Sequence, residues 1–501
     1  MHIHRFIFSG LLFFTLLFPA YASKHQVWMA TTSSSFAPGF EILAEEYEKL
    51  HPEIDVKVQV LPFQNFGLWM DTRIQGGLDT APDIHNGNHT WDYFEKGLVI
   101  DFAPYLDKIN PYTGKPWRSL LSEAYLEKMK RAGGYAVVPY DFIEIAFFYN
   151  KDVFKELSLE VPDTWEALLE ICEKIKQAGH IPVSIPANQV SYKAQAVAWL
   201  SRCFSDAFHR DLIPYVMAQP GDWEYGAKTN EGWKQDIVDP YDDFLITVSG
   251  ERKIQLSLNG IKEPGRKDSI RYDSPRFREM YTKLKEFSRY WEPGFNGVDD
   301  KTAYQLFLTQ KAVITLDHSG QISKLLKDMQ ELYPEDRFDW EIFKFPTMTS
   351  AKYCKASFRG VGGPGTMFSV VKKNSAQVAR AVDFLMYTTT AHAAKILVDT
   401  AIEEELPLIG PMLIKGAEIP ENIKERFAPF YDMGIEKTNI AAPLWDNELQ
   451  WVWTVWAMEY FDDRISLDEF LDRYQKAVED SLPRLIKAFG YDMDPTTKDM
   501  Q

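Results

Sequence analysis

The spacing of hydrophobic and polar residues changes several times along the chain, and each change predicts a new element. Val27 to Ala30 is a short apolar run of the kind that forms a strand. The next segment has apolar residues at helical spacing, namely Phe40, Leu43, Ala44, Tyr47 and Leu50. Apolar and polar residues then alternate from Ile54 to Val60, which predicts a second strand. The order strand, helix, strand predicts a β-α-β unit and hence an α/β layer.

The densest apolar stretch of the chain predicts a strand that is buried on both faces. Phe142 to Tyr149 is rich in Ile and Phe and is apolar on both faces apart from Glu144. A short helix and then a longer one are predicted to follow it. Asp163 or Thr164 can cap the longer helix, and Glu166 stands where a capping-box partner of Asp163 would stand.

Two later patterns predict a β-hairpin and a further strand. Ile254, Leu256 and Leu258 alternate with polar residues and lead into an Asn-Gly pair at 259–260, which is a typical hairpin turn. The apolar run at 312–316 predicts a strand. No internal repeat, low-complexity tract or heptad run is found in the sequence.

The first 22 residues have the pattern of a secretory signal peptide. Arg5 supplies a basic start, Phe6 to Phe18 form an apolar core, and Ala20-Tyr21-Ala22 is a small-x-small cleavage site. The apolar core is too short to span a bilayer, and no Cys follows it. The pattern therefore predicts soluble export, without a lipoprotein anchor; an N-terminal membrane anchor is the alternative.

Charge and cysteine content narrow the classes of partner. The formal net charge is −17, which disfavours nucleic acid and anionic lipid headgroups as partners. Three cysteines are too few for a disulfide scaffold in a chain of this size. Cys172 lies on an apolar helical face and is predicted to be a buried thiol. Cys203 and Cys354 could pair in an oxidising compartment or could both remain free.

Two loops at predicted strand ends are candidate ligand loops, because ligands of open α/β sheets lie beyond the carboxyl ends of the strands. The first contains Thr32 and Ser33. The second contains Asn88, His89 and Trp91, whose amide, imidazole and indole groups suit a sugar. Although His85 and His89 are four residues apart, no carboxylate or Cys completes a metal motif, so no metal is expected.

The glycine-rich segment at 360–365 matches G-x-G-x-x-G but does not predict a nucleotide site. A dinucleotide fingerprint follows a strand and opens a helix, whereas here a strand is predicted next. Pro364 also removes an amide donor. The glycines are better explained as a hinge that needs positive φ angles.

Several motifs occur in an order that resembles a known family. They are Pro139-Tyr140-Asp141, Tyr149-Asn150-Lys151-Asp152 and Pro162-x-Thr164-Trp165-Glu166-x-Leu168, with Phe307 to Leu316 and Asn374-Ser375 further along. Together they resemble family 1 of the extracellular solute-binding proteins, the maltose-binding-protein-like receptors of sugar-importing ABC transporters. The resemblance covers roughly residues 27–190 and 300–485. The segment at 307–316 departs from the family in having Gln310 where the family usually has Gly.

The resemblance implies a two-lobed α/β fold of the type II-like periplasmic-binding-protein class, with a ligand cleft between the lobes. The chain would cross a hinge three times, near 139–146, 300–312 and 358–368. Lobe 1 would comprise residues 23–142 and 303–358, so that the strand at 312–316 returns the chain to lobe 1. Lobe 2 would comprise residues 143–302 and 359–501, with an insertion near 221–271.

The resemblance also implies ligand contacts beyond the two loops. Asp141 would stand at the hinge, Asp317 and His318 at the end of the strand at 312–316, and Gly362 and Gly363 would offer their amides. Trp199 and Trp445 would stack on the ligand, although a Trp at helical spacing is more often core. Three further tryptophans are predicted to be core, namely Trp451, Trp453 and Trp456.

The function implied by the family is that of a periplasmic, monomeric receptor that binds a carbohydrate and docks on an inner-membrane permease. The carbohydrate would be an oligosaccharide, given the chain's size, and no catalysis, cofactor or metal is expected. Two alternatives share parts of this pattern. A periplasmic sensor would present the same ligand to a receptor kinase. A secreted glycan hydrolase would need two carboxylates about 5–9 Å apart, but no G-x-S-x-G, H-E-x-x-H or P-loop pattern is found.

Overall fold

Two five-stranded sheets organise the molecule. The computed structural model describes residues 24–87, 90–130, 134–189, 196–220, 222, 225, 233–259, 270–435 and 447–491. The first sheet has the order β2-β1-β3-β10-β4. Its strands are β1 (His25–Thr31), β2 (Ile54–Val60), β3 (Ile84–Asn86), β4 (Val138–Pro139) and β10 (Met367–Val370). β1 is parallel to β2 and β3, which confirms the predicted β-α-β start.

The second sheet has the order β6-β7-β5-β8, and β9 pairs with the beginning of β5. Its strands are β5 (Phe142–Asn150), β6 (Ile181–Ser184), β7 (Ala312–His318), β8 (Trp340–Phe343) and β9 (Gly362–Pro364). Side chains of β5 alternate between two cores: Phe147 lies in one and Phe148 in the other. The prediction of a strand buried on both faces is therefore confirmed.

Helices cover both sheets. In the first half of the chain they are α1 (Ala37–Leu50), α2 (Phe63–Gln75), α3 (Thr90–Glu95), α4 (Ala103–Leu106), α5 (Glu123–Lys128), α6 (Lys151–Glu156), α7 (Trp165–Gln177), α8 (Ala196–His209) and α9 (Ile213–Val216). In the second half they are α10 (Gly250–Asn259), α11 (Pro275–Ser288), α12 (Asp300–Leu308), α13 (Gln321–Glu331), α14 (Ser375–Thr388), α15 (Ala391–Glu403), α16 (Glu421–Phe427), α17 (Asn447–Phe461) and α18 (Leu467–Phe489).

The two helices that the sequence predicted most clearly have the expected buried faces. In α1 the predicted apolar face is buried except at Leu50, which is exposed at the end of the helix. Thr164 caps α7, its hydroxyl accepting from the Ala167 amide at 3.2 Å. Glu166 does not close a capping box. It accepts instead from the amides of Thr349 and Ser350, and so fixes the loop after β8 to α7.

Three expectations about individual elements are wrong. The segment around Ile254 is helix α10 and not a hairpin, because three alternating apolar residues do not distinguish a strand from one face of a helix. Trp451 is 46% exposed, whereas Trp453 is fully buried as predicted and Trp456 packs partly buried against the core. Strand β7 pairs with β5 and β6 in the second sheet, and so does not return the chain to the first lobe.

The chain passes between the sheets at three places that lie side by side. The first is the connection from β4 to β5, and the second runs from β9 to β10. The third is Pro411 to Leu413: the Phe142 amide donates to Pro411 and the Leu413 amide donates to Tyr140. The expected crossing at 300–312 is wrong, since α12 leads into β7 of the second sheet. The three crossings form the hinge of the molecule.

The three cysteines are buried, and none of them forms a disulfide. The buried Cys172 is as predicted, and Cys203 and Cys354 are not paired with each other. Burial raises the pKa of the Cys172 thiol, so that it remains protonated at neutral pH.

Candidate functional site

Polar residues from both sheets meet at the hinge. The parallel strands β1 and β3 end at the same edge of the first sheet, at Thr31 and Asn86. In the second sheet, β6 and β7 are parallel and end near the beginning of β5, at Ser184 and His318. These two edges and the three crossings between them form the candidate site, as expected for ligands of α/β sheets.

Asp141 is the centre of this arrangement and is fully buried. Its Oδ1 accepts from the Thr366 amide at 2.6 Å, and Oδ2 accepts from the Thr366 hydroxyl at 3.2 Å. The Thr366 hydroxyl lies 3.4 Å from the hydroxyl of Ser33, next to Thr32 on the loop after β1. Burial raises the pKa of Asp141 to about 7, although the two hydrogen bonds from Thr366 oppose the shift. The first crossing, the second crossing and the loop after β1 are therefore joined through one carboxyl group.

Glu144 is a second buried carboxyl at the hinge. It lies beside the second crossing, because β5 and β9 place Glu144 opposite Gly362 and Ile143 opposite Gly363. A Cβ atom at Gly360 would lie within 3 Å of the Glu144 carboxyl, so only glycine leaves room for it there. The Oε1 atom of Glu144 has no hydrogen-bond partner among the described residues, and burial raises the pKa of Glu144 well above the usual value.

The end of β7 contributes an aromatic wall. The ring of Trp199, on α8, stands edge-on to the ring of His318 with centroids 6.4 Å apart, and both side chains are partly exposed. The His318 amide donates to Asp317 at 2.8 Å. Burial raises the pKa of Asp317, although the His318 charge opposes this. A partly exposed indole beside an imidazole and a carboxyl group is a surface that suits a sugar ring.

Buried polar atoms without partners stand at the end of β3. Both polar atoms of the Asn86 side chain and the hydroxyl of Thr90 are enclosed without a hydrogen bond among the described residues. His85 is fully buried; burial lowers its pKa to about 4, so the imidazole is neutral. Trp91, on α3, is partly exposed and stands edge-on to Phe94.

The structure thus brings together part of the predicted site. Ser33, Asp141, Gly362 and Gly363 lie along the crossings, and Thr32 adjoins them. Trp199, Asp317 and His318 lie together at the end of β7. Three predicted residues lie outside the described residues: Asn88, His89 and Trp445.

Sequence reasoning missed three residues of this region: Glu144, Thr366 and Ser319. The Ser319 hydroxyl donates to the Ile409 carbonyl at 2.6 Å and accepts from the Glu144 amide at 3.3 Å, which links β7 to the third crossing. Glu144 had a signal, since it is the only acidic residue in an apolar strand. Thr366 and Ser319 had none, because a hydroxyl in a loop is common.

A buried ion-pair network stands directly behind the second crossing. Arg359 is fully buried, and its guanidinium donates to both oxygens of Asp206 on α8, at 2.9 and 2.5 Å, and to Asp243. Arg210 also donates to Asp206, at 2.7 Å. Burial opposes ionisation of Asp206, but the charges of Arg359 and Arg210 outweigh it and hold its pKa well below the usual range. The network ties α8 to the residue that precedes the glycines of the hinge.

The described ranges contain no group of three or more His, Cys, Asp or Glu side chains arranged to hold a metal ion. Within the same ranges, no helix has both the length and the apolar character required to cross a membrane.

Comparison with known sequences supports the pattern. Residues 33–247 match the family model described as bacterial extracellular solute-binding protein. The multiple sugar-binding protein of Streptococcus mutans serotype c is 27% identical over 147 residues, which are 29% of this chain and 33% of that protein. Three Brucella binding proteins are 24% identical over 174 residues, or 41% of each. The chain therefore spans between a third and about two fifths of the length of the curated relatives it matches.

Comparison with solved structures extends over nearly the whole chain. RafE in complex with raffinose matches with a TM-score of 0.58 at 17% identity and covers 90% of this chain and 98% of that chain. The apo form of RafE from Streptococcus pneumoniae has a TM-score of 0.59 at the same identity, with 91% and 99% covered. A chitin oligosaccharide binding protein has a TM-score of 0.60 at 16% identity, with 92% and 100% covered. These matches show the fold, which is the two-lobed one.

Proposed function

We propose that this chain, which belongs to the bacterial extracellular solute-binding proteins through residues 33–247, binds an oligosaccharide between its lobes and delivers it to an ABC importer. The receptor acts in the periplasm as a monomer, docks on the membrane permease in its closed form, and performs no catalysis. The single observation that carries this proposal is the meeting of three crossings at Asp141. A cleft lined from both lobes at a hinge binds its ligand by closing.

A carbohydrate is the ligand that this site favours. Sugar hydroxyl groups can donate to the partly exposed Asp317 carboxyl group and form a hydrogen bond with the His318 imidazole, while the Trp199 ring offers an apolar face. The comparison proteins support the same class, since one bears the name multiple sugar-binding protein and others are a raffinose complex and a chitin oligosaccharide binding protein.

The lobe boundaries belong to the proposal. Because β10 lies in the first sheet and α15 packs on α1, we assign β10, α14 and α15 to lobe 1 together with β1 to β4. Strands β5 to β9 and the C-terminal helices α17 and α18 then form lobe 2, with the segment near 221–271 as an addition to it.

A sugar panel tests the proposal. Neutral oligosaccharides, including raffinose and chitin oligosaccharides, are compared with amino acids and inorganic anions by thermal shift. A ligand at a hundredfold excess over its Kd stabilises the folded state by about 2.7 kcal/mol, which raises Tm by about 3 °C for a chain of this length. The same sugar is expected to reduce the radius of gyration in small-angle scattering, because only a ligand with higher affinity for the closed state shifts the balance. No response to any sugar, or an unchanged radius at saturation, would argue against the proposal.

Replacing Trp199 with alanine tests the aromatic wall. If its ring stacks on the sugar and buries about 80 Å², the substitution removes about 2 kcal/mol of binding and raises Kd about 30-fold. Calorimetric titration measures this. Trp451→Ala is the matched control, because Trp451 is an exposed tryptophan on a helix, α17, outside the proposed site. Equal affinities of the two variants would remove Trp199 from the site.

A further inference from the structure

Residues 233–246, which we call the brace, lie in the predicted addition to lobe 2 and are anchored to that lobe. Within the brace, Asp243 accepts from the guanidinium of Arg359, and the buried Arg210 donates to one of the brace's carbonyl groups at 2.8 Å. Ile246, at the end of the brace, is 1% exposed and lies in the same core as α7 and α8. The brace therefore moves with lobe 2.

Hydrogen bonds within the brace fix its shape. The indole of Trp233 donates to the Asp242 carbonyl at 3.1 Å, and the Asp236 amide donates to the Asp242 carboxylate at 2.9 Å. The Phe244 amide donates to the Tyr241 carbonyl at 2.9 Å, and the rings of these two residues stand edge-on with centroids 6.0 Å apart. The Phe244 side chain is thus presented from a turn that is held in place.

The ring of Phe244 contacts lobe 1. It stands edge-on to the ring of Tyr125 on α5, with centroids 5.6 Å apart, and the Lys128 ammonium lies over the Phe244 ring, 5.6 Å from its centroid. Helix α5 belongs to lobe 1, because it packs on β4 of the first sheet. Tyr125 in turn stacks on Phe142, with centroids 5.2 Å apart. Three rings therefore form a row from lobe 2 through α5 to the first crossing of the hinge.

The contact exists only while the lobes keep the orientation that brings α5 against Phe244. An edge-on aromatic pair changes an equilibrium about 2- to 13-fold beyond the effect of the area that it buries, and a cation over an aromatic face adds to this. Movement of one lobe relative to the other removes the contact, since its two sides belong to different lobes. A ligand that closes the cleft therefore acts on a balance that this contact already biases.

We propose that the brace is a conformational device that stabilises one relative orientation of the two lobes through Phe244, and so sets how easily the cleft opens and closes. The inference rests on the proposed receptor function, because it requires lobes that move about the hinge. In this role the addition to lobe 2 changes ligand affinity without touching the ligand. The buried Arg359 contributes to the same device, because it holds the residue next to Phe244.

Distance measurements between spin labels on the two lobes of the full chain test this proposal. The labels are attached at Glu45→Cys on α1 and Lys174→Cys on α7, which are exposed positions, whereas the three native cysteines are buried. Phe244→Ala is expected to raise the ratio of minor to major interlobe distances about 2- to 13-fold. Tyr125→Ala is expected to have the same effect, and Tyr125→Phe, which keeps the ring, is expected to leave the ratio within about twofold of wild type.

Phe295→Ala is the matched control, because Phe295 is also partly buried but its ring contact, with Trp291, lies within lobe 2. The distance ratio of this variant is expected to equal that of wild type. An unchanged ratio in Phe244→Ala would overturn the inference, as would an equal change in Phe295→Ala or in Tyr125→Phe. The receptor function fails on different data, since it requires that a sugar binds. A changed ratio in a protein that binds no sugar would contradict the receptor function and leave the brace standing.

Discussion

Replacing Arg359 with methionine is expected to lower the free energy of unfolding by about 3–5 kcal/mol, because removal of one partner from a buried ion pair leaves buried charge uncompensated. Asp243 would lose this partner, and Asp206 would keep only Arg210. Urea denaturation measures the change, and ligand affinity is measured in the same samples. The free energy of unfolding is expected to fall clearly, whereas the ligand affinity per folded molecule is expected to change little.

Arg278→Met is the matched control for this substitution. Arg278 also pairs with two carboxylates, of Asp468 and Asp472, but on the surface, with a third of its side chain exposed. Exposed ion pairs contribute about 0–1 kcal/mol, so this variant is expected to lose no more than that. A loss of the same size for both variants would mean that the buried network does not stabilise the hinge.

Replacing Asp141 with asparagine is expected to change how stability depends on pH. Burial in the folded protein raises the pKa of Asp141 to about 7, well above its usual value of 3.8. As pH rises from about 4 to about 7, the unfolded chain releases this proton and the folded protein keeps it. The free energy of unfolding therefore falls in that window, by about 1.4 kcal/mol per pH unit for one proton. Asparagine cannot ionise and keeps the contacts with Thr366. The free energy of unfolding of the variant therefore does not show this decrease between pH 4 and pH 7.

The measurement is the difference in unfolding free energy between wild type and Asp141→Asn at several pH values. From pH 4 to pH 7 the variant is expected to become more stable relative to the wild type, and above pH 7 the difference is expected to stay constant. Asp79→Asn, at an exposed position, serves as the control and is expected to show a flat difference. A flat difference for Asp141→Asn as well would contradict the burial of an uncompensated carboxyl at the hinge.

The sequence predicted the elements whose determinants are local. Phe142 to Tyr149 was identified as a doubly buried strand, because its own residues are apolar on both faces. The start of α7 was placed correctly, because a Thr cap acts within three residues. Where three alternating residues were the only signal, around Ile254, the element was wrong.

Relations between distant segments were not predictable in the same way. The sequence of residues 312–318 does not predict that this strand pairs with β5 and β6, because strand pairing depends on the fold of the whole chain. The strand-end rule pointed to the loop of Ser33, because the rule depends only on where strands end. Asp141 and His318 came from the family resemblance, and their contact with a ligand stays a prediction. The Arg359 network was missed, because Asp206 and Asp243 are 153 and 116 residues away from it.

The position of β10 has a consequence for synthesis of the protein. β10 lies between β3 and β4, so the first sheet contains a gap until residues 367–370 have left the ribosome. Helix α15, which packs on α1, is made later still. A nascent chain that ends before residue 360 can form the β1-β2-β3 ladder but cannot close the sheet or cover α1. The first lobe therefore completes its folding only near the end of translation, and a chaperone that holds unfolded chains would have most of that time in which to act.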